Sequence, residues 1–159
     1  VKIILRMSSL DKYLDNLVKK IRLRHGAKMI SRYKAALFIK NQLKENKLFL
    51  YGMAADQSAQ IRSKTYWKEF LGIKVPVFTG SERIAKEHDL PVVFGKMKKI
   101  KRGFYNVEVE MIAKKPRSFD NYQITDIFVS KVEKQIKNSP HLYFWTHDRF
   151  KHKDKAPID

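Results

Sequence analysis

The stretch Lys47-Leu-Phe-Leu-Tyr-Gly-Met-Ala-Ala-Asp-Gln57 decides how the chain is read. Leu48-Phe-Leu-Tyr51 is a short apolar run between polar neighbours, and such a run predicts a strand buried on both faces. In an open α/β sheet, ligands lie beyond the carboxyl ends of such strands. That rule sets Asp56 and Gln57 where a substrate is expected. Two more segments extend the pattern: Val75-Pro-Val-Phe78, which leads into Thr79-Gly80 and a helix start, and Leu90-Pro-Val-Val-Phe94, which follows that helix. The three pieces are expected to build one site.

Upstream, Val1–Leu5 reads as a buried strand that ends at Arg6, and a domain opening this abruptly is expected to be part of something longer. Ser8-Ser-Leu-Asp11 fits a capping box. Leu10, Tyr13, Leu14, Leu17, Val18 and Ile21 then recur at helical spacing until Gly26. Lys28-Met-Ile30 predicts a short strand. A second helix is expected from Tyr33 to Glu45, with Ala36, Leu37, the Lys40 stem and Leu43 inward and Asn46 as C-cap.

Downstream, Ser58–Lys64 is polar, without periodicity, and reads as a loop. Tyr66–Gly72 is rich in aromatic residues and is expected beside the site. Thr79-Gly-Ser-Glu82 fits a second capping box, on a short helix ended by Asp89 and Pro91. Val92–Met97 and Phe104–Ile112 alternate as two strands around a basic hairpin turn, Lys99–Gly103. Asp120–Gln123 is expected to cap a last helix with Ile124, Ile127, Phe128, Val132 and Ile136 on one face, ended by Pro140. Leu142–Trp145 is apolar again. Residues 151–159 read as a charged, frayed tail. The order of elements predicts an α/β fold, a central mixed β-sheet flanked by helices, with residues 1–150 in one domain.

The formal net charge is +18 over 159 residues, which predicts an anionic partner: nucleic acid, anionic lipid or an acidic protein. There is no cysteine, so disulfides and thiolate metal sites are excluded. The five histidines show no metal-binding spacing, and no nucleotide loop or nucleophile elbow is present. Neither metal nor cofactor is expected. No apolar run approaches the roughly 20 residues of a membrane-spanning helix.

Each candidate residue has an ordinary reading beside its functional one. Arg6 suits a phosphate, or is a solvated strand end. Asp56 and Gln57 suit a substrate hydroxyl or a site arginine, or form a turn. Thr79 and Gly80 offer helix-start N–H groups to an anion, or simply cap the helix. Arg6, Asp56 and Thr79 are expected to converge on one cleft. His147-Asp148-Arg149 reads as structural.

Four groups of residues, in order, resemble the bacterial lipid A lauroyl/myristoyl acyltransferases, and in particular their Bacteroidetes-type members. They are Ile3-Ile-Leu-Arg6 with Arg22-Leu-Arg-His-Gly26 and Lys28–Ile30; Ala55-Asp-Gln57; Pro76-Val-Phe-Thr-Gly80 with Ala85 and Leu90-Pro-Val-Val93; and Tyr143-Phe-Trp-Thr-His-Asp-Arg-Phe-Lys151. The resemblance covers nearly the whole chain. It implies a glycerolipid-acyltransferase-like sheet and transfer of a fatty acyl group from acyl carrier protein, or acyl-CoA, to a lipid hydroxyl. It also implies an acyl-chain site with a phosphorylated acceptor, Arg6 on that phosphate, and Asp56 and Gln57 shaping the pocket floor. An anionic surface at the cytoplasmic face of the inner membrane is the implied location. One departure stands out: the family's His-x4-Asp/Glu signature occurs nowhere in the chain, so the catalytic His is expected upstream of Val1, with the chain alone inactive. The competing class is a basic nucleic-acid-binding module, against which stands the lack of an RNP-like aromatic box or recognition helix. A third is a peripheral membrane-binding domain without catalysis.

Overall fold

The computed structural model describes residues 2–6, 12–31, 34–45 and 48–157. The chain divides into two compact units, Val1–Ala54 and Ala55–Asp159.

In the first unit, strand β1 (Lys2–Arg6) lies between β2 (Lys28–Ile30) and β3 (Phe49–Tyr51), all parallel. Parallel neighbours need long crossovers, and helices α1 (Lys12–Leu23) and α2 (Ala35–Leu43) lie in them. Gly26, at φ 76°, reverses the chain after α1 in the left-handed conformation that glycine tolerates.

Two expectations are corrected here. The Leu48–Tyr51 run is not buried on both faces: among the described residues β3 pairs only with β1, Leu48 is 90% exposed and Leu50 is 46% exposed. Its partly buried members, Phe49 and Tyr51, alternate with Leu50, the period of a one-sided strand. In α2 the buried residue is Ile39, while Leu37 is exposed. Ala36, Ile39 and Leu43 are spaced i, i+3, i+7, so they share a face that Leu37 lies away from. Tyr13, Leu17 and Ile21 of α1 are also exposed. The Ser8–Asp11 box, Tyr33 and Asn46 lie outside the described residues.

The second unit is two antiparallel hairpins with two helices. β4 (Trp67–Phe70) and β5 (Ile73–Pro76) are joined by Leu71-Gly72, both at positive φ (53° and 79°). That is the geometry of the two-residue turn whose twist matches its strands. Helix α3 (Gly80–His88) ends on Asp89 in the left-handed conformation. β6 (Val92–Lys101) and β7 (Phe104–Ala113) turn at Gly103, φ 80°, as the basic hairpin predicted. Helix α4 (Gln123–Asn138) buries Ile124, Val129, Val132 and Ile136 in a core with Phe70, Val75, Val77, Phe94 and Ile112. The α/β class is as expected. Its strands are shared among three sheets, one parallel and two hairpins, rather than gathered in one. The tail is not frayed through residue 157: Lys153–Lys155 form a 3-10 turn, and Lys74 Nζ donates to Pro157 O at 3.3 Å. Among the described residues, no helix is long and apolar enough to cross a membrane.

Candidate functional site

Asp56, Gln57 and Ser58 have no regular secondary structure, and their backbone is held by one short segment near the C-terminus. Tyr143 donates its hydroxyl to Asp56 O at 3.4 Å. Ser58 donates its N–H to His147 Nε2 at 3.0 Å. Arg149 Nη1 donates to Gln57 O, and also to Pro76 O at 3.3 Å. Three side chains thus fix two consecutive peptide units, the second of them through both its carbonyl and its N–H. Because His147 accepts through Nε2, that nitrogen carries no proton in this arrangement.

Arg149 is only 2% exposed, an unusual place for a cation. Its guanidinium lies 5.0 Å from the centre of the Phe70 ring, so the ring face and two carbonyls replace water. Burial lowers its affinity for the proton, opposed by the Tyr143 and Asp56 charges. Burial also pushes the Tyr143 hydroxyl up. Ser58 Oγ and Arg149 Nε are buried beside these contacts and make no hydrogen bond among the described residues. The end of β5 enters the same arrangement through Pro76 O, three residues before Thr79.

Thr79 opens α3 without capping it through its side chain, and the expected capping box does not close. Glu82 is turned elsewhere. Its buried carboxylate accepts Tyr122 N at 2.7 Å, Thr125 N at 2.8 Å and Thr125 Oγ1 at 2.6 Å, with Lys86 Nζ at 3.3 Å. It therefore caps α4, whose N-cap residue Tyr122 makes no side-chain cap. The expectation for Asp120–Gln123 holds in part: Gln123 Oε1 accepts Asp120 N at 3.0 Å, while Tyr122 N and Thr125 N go to Glu82. The reason is competition: α4 begins after Tyr122 in a left-handed conformation, and its N–H groups point at a ready carboxylate. Gly80 sits in open space, since a Cβ there would meet no heavy atom within 4 Å.

Beside this, Asp126 links Tyr66 Oη at 3.0 Å and Lys68 Nζ at 2.9 Å, and the Tyr66 ring stacks on Tyr122 at 4.0 Å. Burial and the Asp126 hydrogen bond push the Tyr66 hydroxyl up to about 12. The aromatic run near Tyr66 is therefore part of the scaffold under α4.

The structure brings Asp56 and Gln57 together with the end of β5. Arg6 closes β1 opposite Ile30 in the first unit; its side chain lies outside the described residues. The structural reading of His147-Asp148-Arg149 holds for His147 and Arg149; sequence reasoning missed that residues 56–58 are what they hold, and missed Tyr143 beside them. The available signal was the spacing Tyr143-x3-His147-x-Arg149 after an aromatic run. Among the described residues, no group of three His, Asp or Glu side chains is placed to hold a metal.

The protein is an acyltransferase by class: residues 5–152 match the family model described as bacterial lipid A biosynthesis acyltransferase. The match takes in all but the two ends, and the chain belongs to that family. Its reaction is therefore acyl transfer in lipid A biosynthesis, with a lipid as acceptor. A search of curated proteins finds no match.

Proposed function

We propose that the acyl group arrives as an acyl carrier protein thioester and passes to a hydroxyl of the lipid acceptor. The hydroxyl oxygen attacks the thioester carbonyl, the carbon–sulfur bond breaks, and the proton leaves with the thiol. A histidine base removes that proton, worth roughly 100- to 10,000-fold in rate. None of His25, His88, His141, His147 or His152 has an acid five residues later. The resemblance to the family, whose His-x4-Asp/Glu signature precedes the first strand seen here, puts the base in sequence before Val1, and the 159-residue chain alone is expected not to turn over. Arg6 binds a substrate phosphate, Asp56 and Gln57 shape the pocket floor, and the Thr79-Gly80 helix start receives an anionic group. The basic surface faces the acidic carrier protein and anionic lipid at the cytoplasmic face of the inner membrane.

The observation that supports this reading is the pinning of residues 56–58. A buried arginine, a histidine and a tyrosine are committed to two adjacent loop peptides, as suits side chains that must be presented without slack. The test compares the 159-residue chain with the longer gene product, using carrier-protein thioester and a lipid acceptor. Turnover is expected only from the longer protein, and Asp56→Ala there should cut kcat/KM at least tenfold while the fold persists. Robust turnover by the 159-residue chain would overturn the assignment of the base.

A further inference from the structure

The β6–β7 hairpin is inverted relative to an ordinary half-solvated sheet. Residues paired across antiparallel strands share a face. Val93 with Met111, Gly95 with Val109, Met97 with Val107, and Lys99 with Tyr105 lie on one side; Phe94 with Glu110 and Lys96 with Glu108 lie on the other. The second side is turned to α4. There Phe94 meets Phe128 edge-on at 5.9 Å, and Lys131 Nζ reaches Glu110 at 2.6 Å. Lys96 lies 3.7 Å from Glu108 and 3.5 Å from Glu110. The acids thus lie on the α4 side, part exposed and matched by lysines. Val93, Met97, Val107, Val109 and Met111, on the first side, are all exposed, Val109 by 69%. Antiparallel sheets ordinarily turn apolar side chains in and polar ones out.

The tip continues the pattern. Ile100 is 67% exposed, and Phe104 and Tyr105 are exposed as well. They alternate with Lys98, Lys99, Lys101 and Arg102, and no Asp or Glu occurs from Leu90 to Val107. Lys101 Nζ sits 4.5 Å from the centre of the Phe104 ring, so cation and aromatic ring are presented together.

We propose that this hairpin is the element that docks the protein on an anionic lipid bilayer. Its outer side and tip lie in the interface, with Lys99, Lys101 and Arg102 at headgroup phosphates. The inference deepens the membrane part of the proposed function and rests on it. Charge selects this occupant. A second copy on the same face would bring two basic tips of a +18 chain together, which self-repulsion opposes. An anionic bilayer accepts the exposed apolar side chains and the cations at once, as it does for amphipathic interfacial helices.

The test uses the whole chain and cosedimentation with vesicles of phosphatidylglycerol and phosphatidylcholine, against pure phosphatidylcholine. Lys99→Ser with Lys101→Ser and Arg102→Ser should weaken partitioning on the order of 100-fold. Ile100→Ser with Phe104→Ser should weaken it about tenfold or more. All these positions are exposed, and circular dichroism checks that the variants stay folded. A matched removal of three charges from α1, at Lys19, Lys20 and Arg22, should cost less than removal at the tip. Equal losses from both sets would make binding a matter of diffuse charge and overturn the inference, leaving the membrane reading in place. So would vesicle binding that ignores both tip variants. No binding to anionic vesicles by the parent chain would sink inference and membrane reading together. If the tip variants lose affinity for a random-sequence RNA and keep it for vesicles, the tip is a nucleic-acid surface and the inference falls.

Discussion

The two hairpins of the second unit are built from the same kind of strand pairing and behave oppositely. β4–β5 is four residues deep on each side and is sunk in the core through Phe70, Val75 and Pro76. Its turn is also tied down, because the N–H of Leu71 donates to the Glu133 carboxylate on α4. β6–β7 is ten residues deep, and only its base, at Phe94, Ile112 and Ala113, is buried. Beyond the base it touches α4 through charges and hydrogen bonds, including Met97 N to Gln135 Oε1 at 3.1 Å. The difference teaches that hydrogen-bonded pairing gives shape, while burial decides which shape is held firmly. A two-stranded ribbon alone is at best marginally stable in water.

The sharpest way to break this comparison is to delete one large ring from each hairpin. Phe70→Ala is expected to cost about 3–5 kcal/mol in urea unfolding. Phe104→Ala, at the exposed tip, should stay within about 0.5 kcal/mol. Similar costs at both positions would mean that the long hairpin is supported along its length. Glu133→Ala leaves the Leu71 amide without its acceptor and should cost about 1–2 kcal/mol by the same measurement.

Acid and alkali should separate the hairpins next. Hydrogen bonds from Lys98 and Lys131 hold Glu108 and Glu110 below the ordinary carboxylate range. A depressed folded-state pKa contributes stability above the unfolded value, lost as pH falls through the folded one. Backbone amides of β6–β7 should therefore exchange faster as pH drops below 4.5, once the intrinsic rate is divided out, before those of β4–β5. Tyr66, just ahead of β4, is raised to about 12 from 10.0. A raised folded-state value means stability is intact below the unfolded pKa and lost as pH rises through the folded one. Circular dichroism should show the β4–β5 side weakening between pH 10 and 12, and Tyr66→Phe should remove that step. The smallest effect is expected from Val109→Thr, within about 0.5 kcal/mol in urea, because its side chain already faces outward.

Local signals in the sequence were legible where the chain obeys them locally. Asp89 and Pro91 ended α3, Gly103 turned the long hairpin, and the apolar stripe from Ile124 to Ile136 set the buried side of α4. β4 escaped because its turn places Leu71 at positive φ, where glycine or asparagine would have announced it. The alternation along β6 and β7 was readable, but not which side faces inward; α4 decides that through Phe128 and Lys131. At the candidate site, the strand-end rule singled out Asp56 and Gln57. Their anchors lie about ninety residues away in sequence, and Glu82 was read as a local cap when a distant helix needed it more. Tertiary partners of this kind leave no periodicity to read.

The pinning of the Asp56–Ser58 segment also sets a timetable. Gln57 is 92 residues from Arg149, and Ser58 is 89 residues from His147. At roughly 5–20 residues per second of synthesis, the segment waits about 5–20 seconds before its anchors exist, and longer while they clear the ribosome. A chain cut short before Tyr143 has β1 to β7 and α1 to α4 and a candidate segment without its anchors.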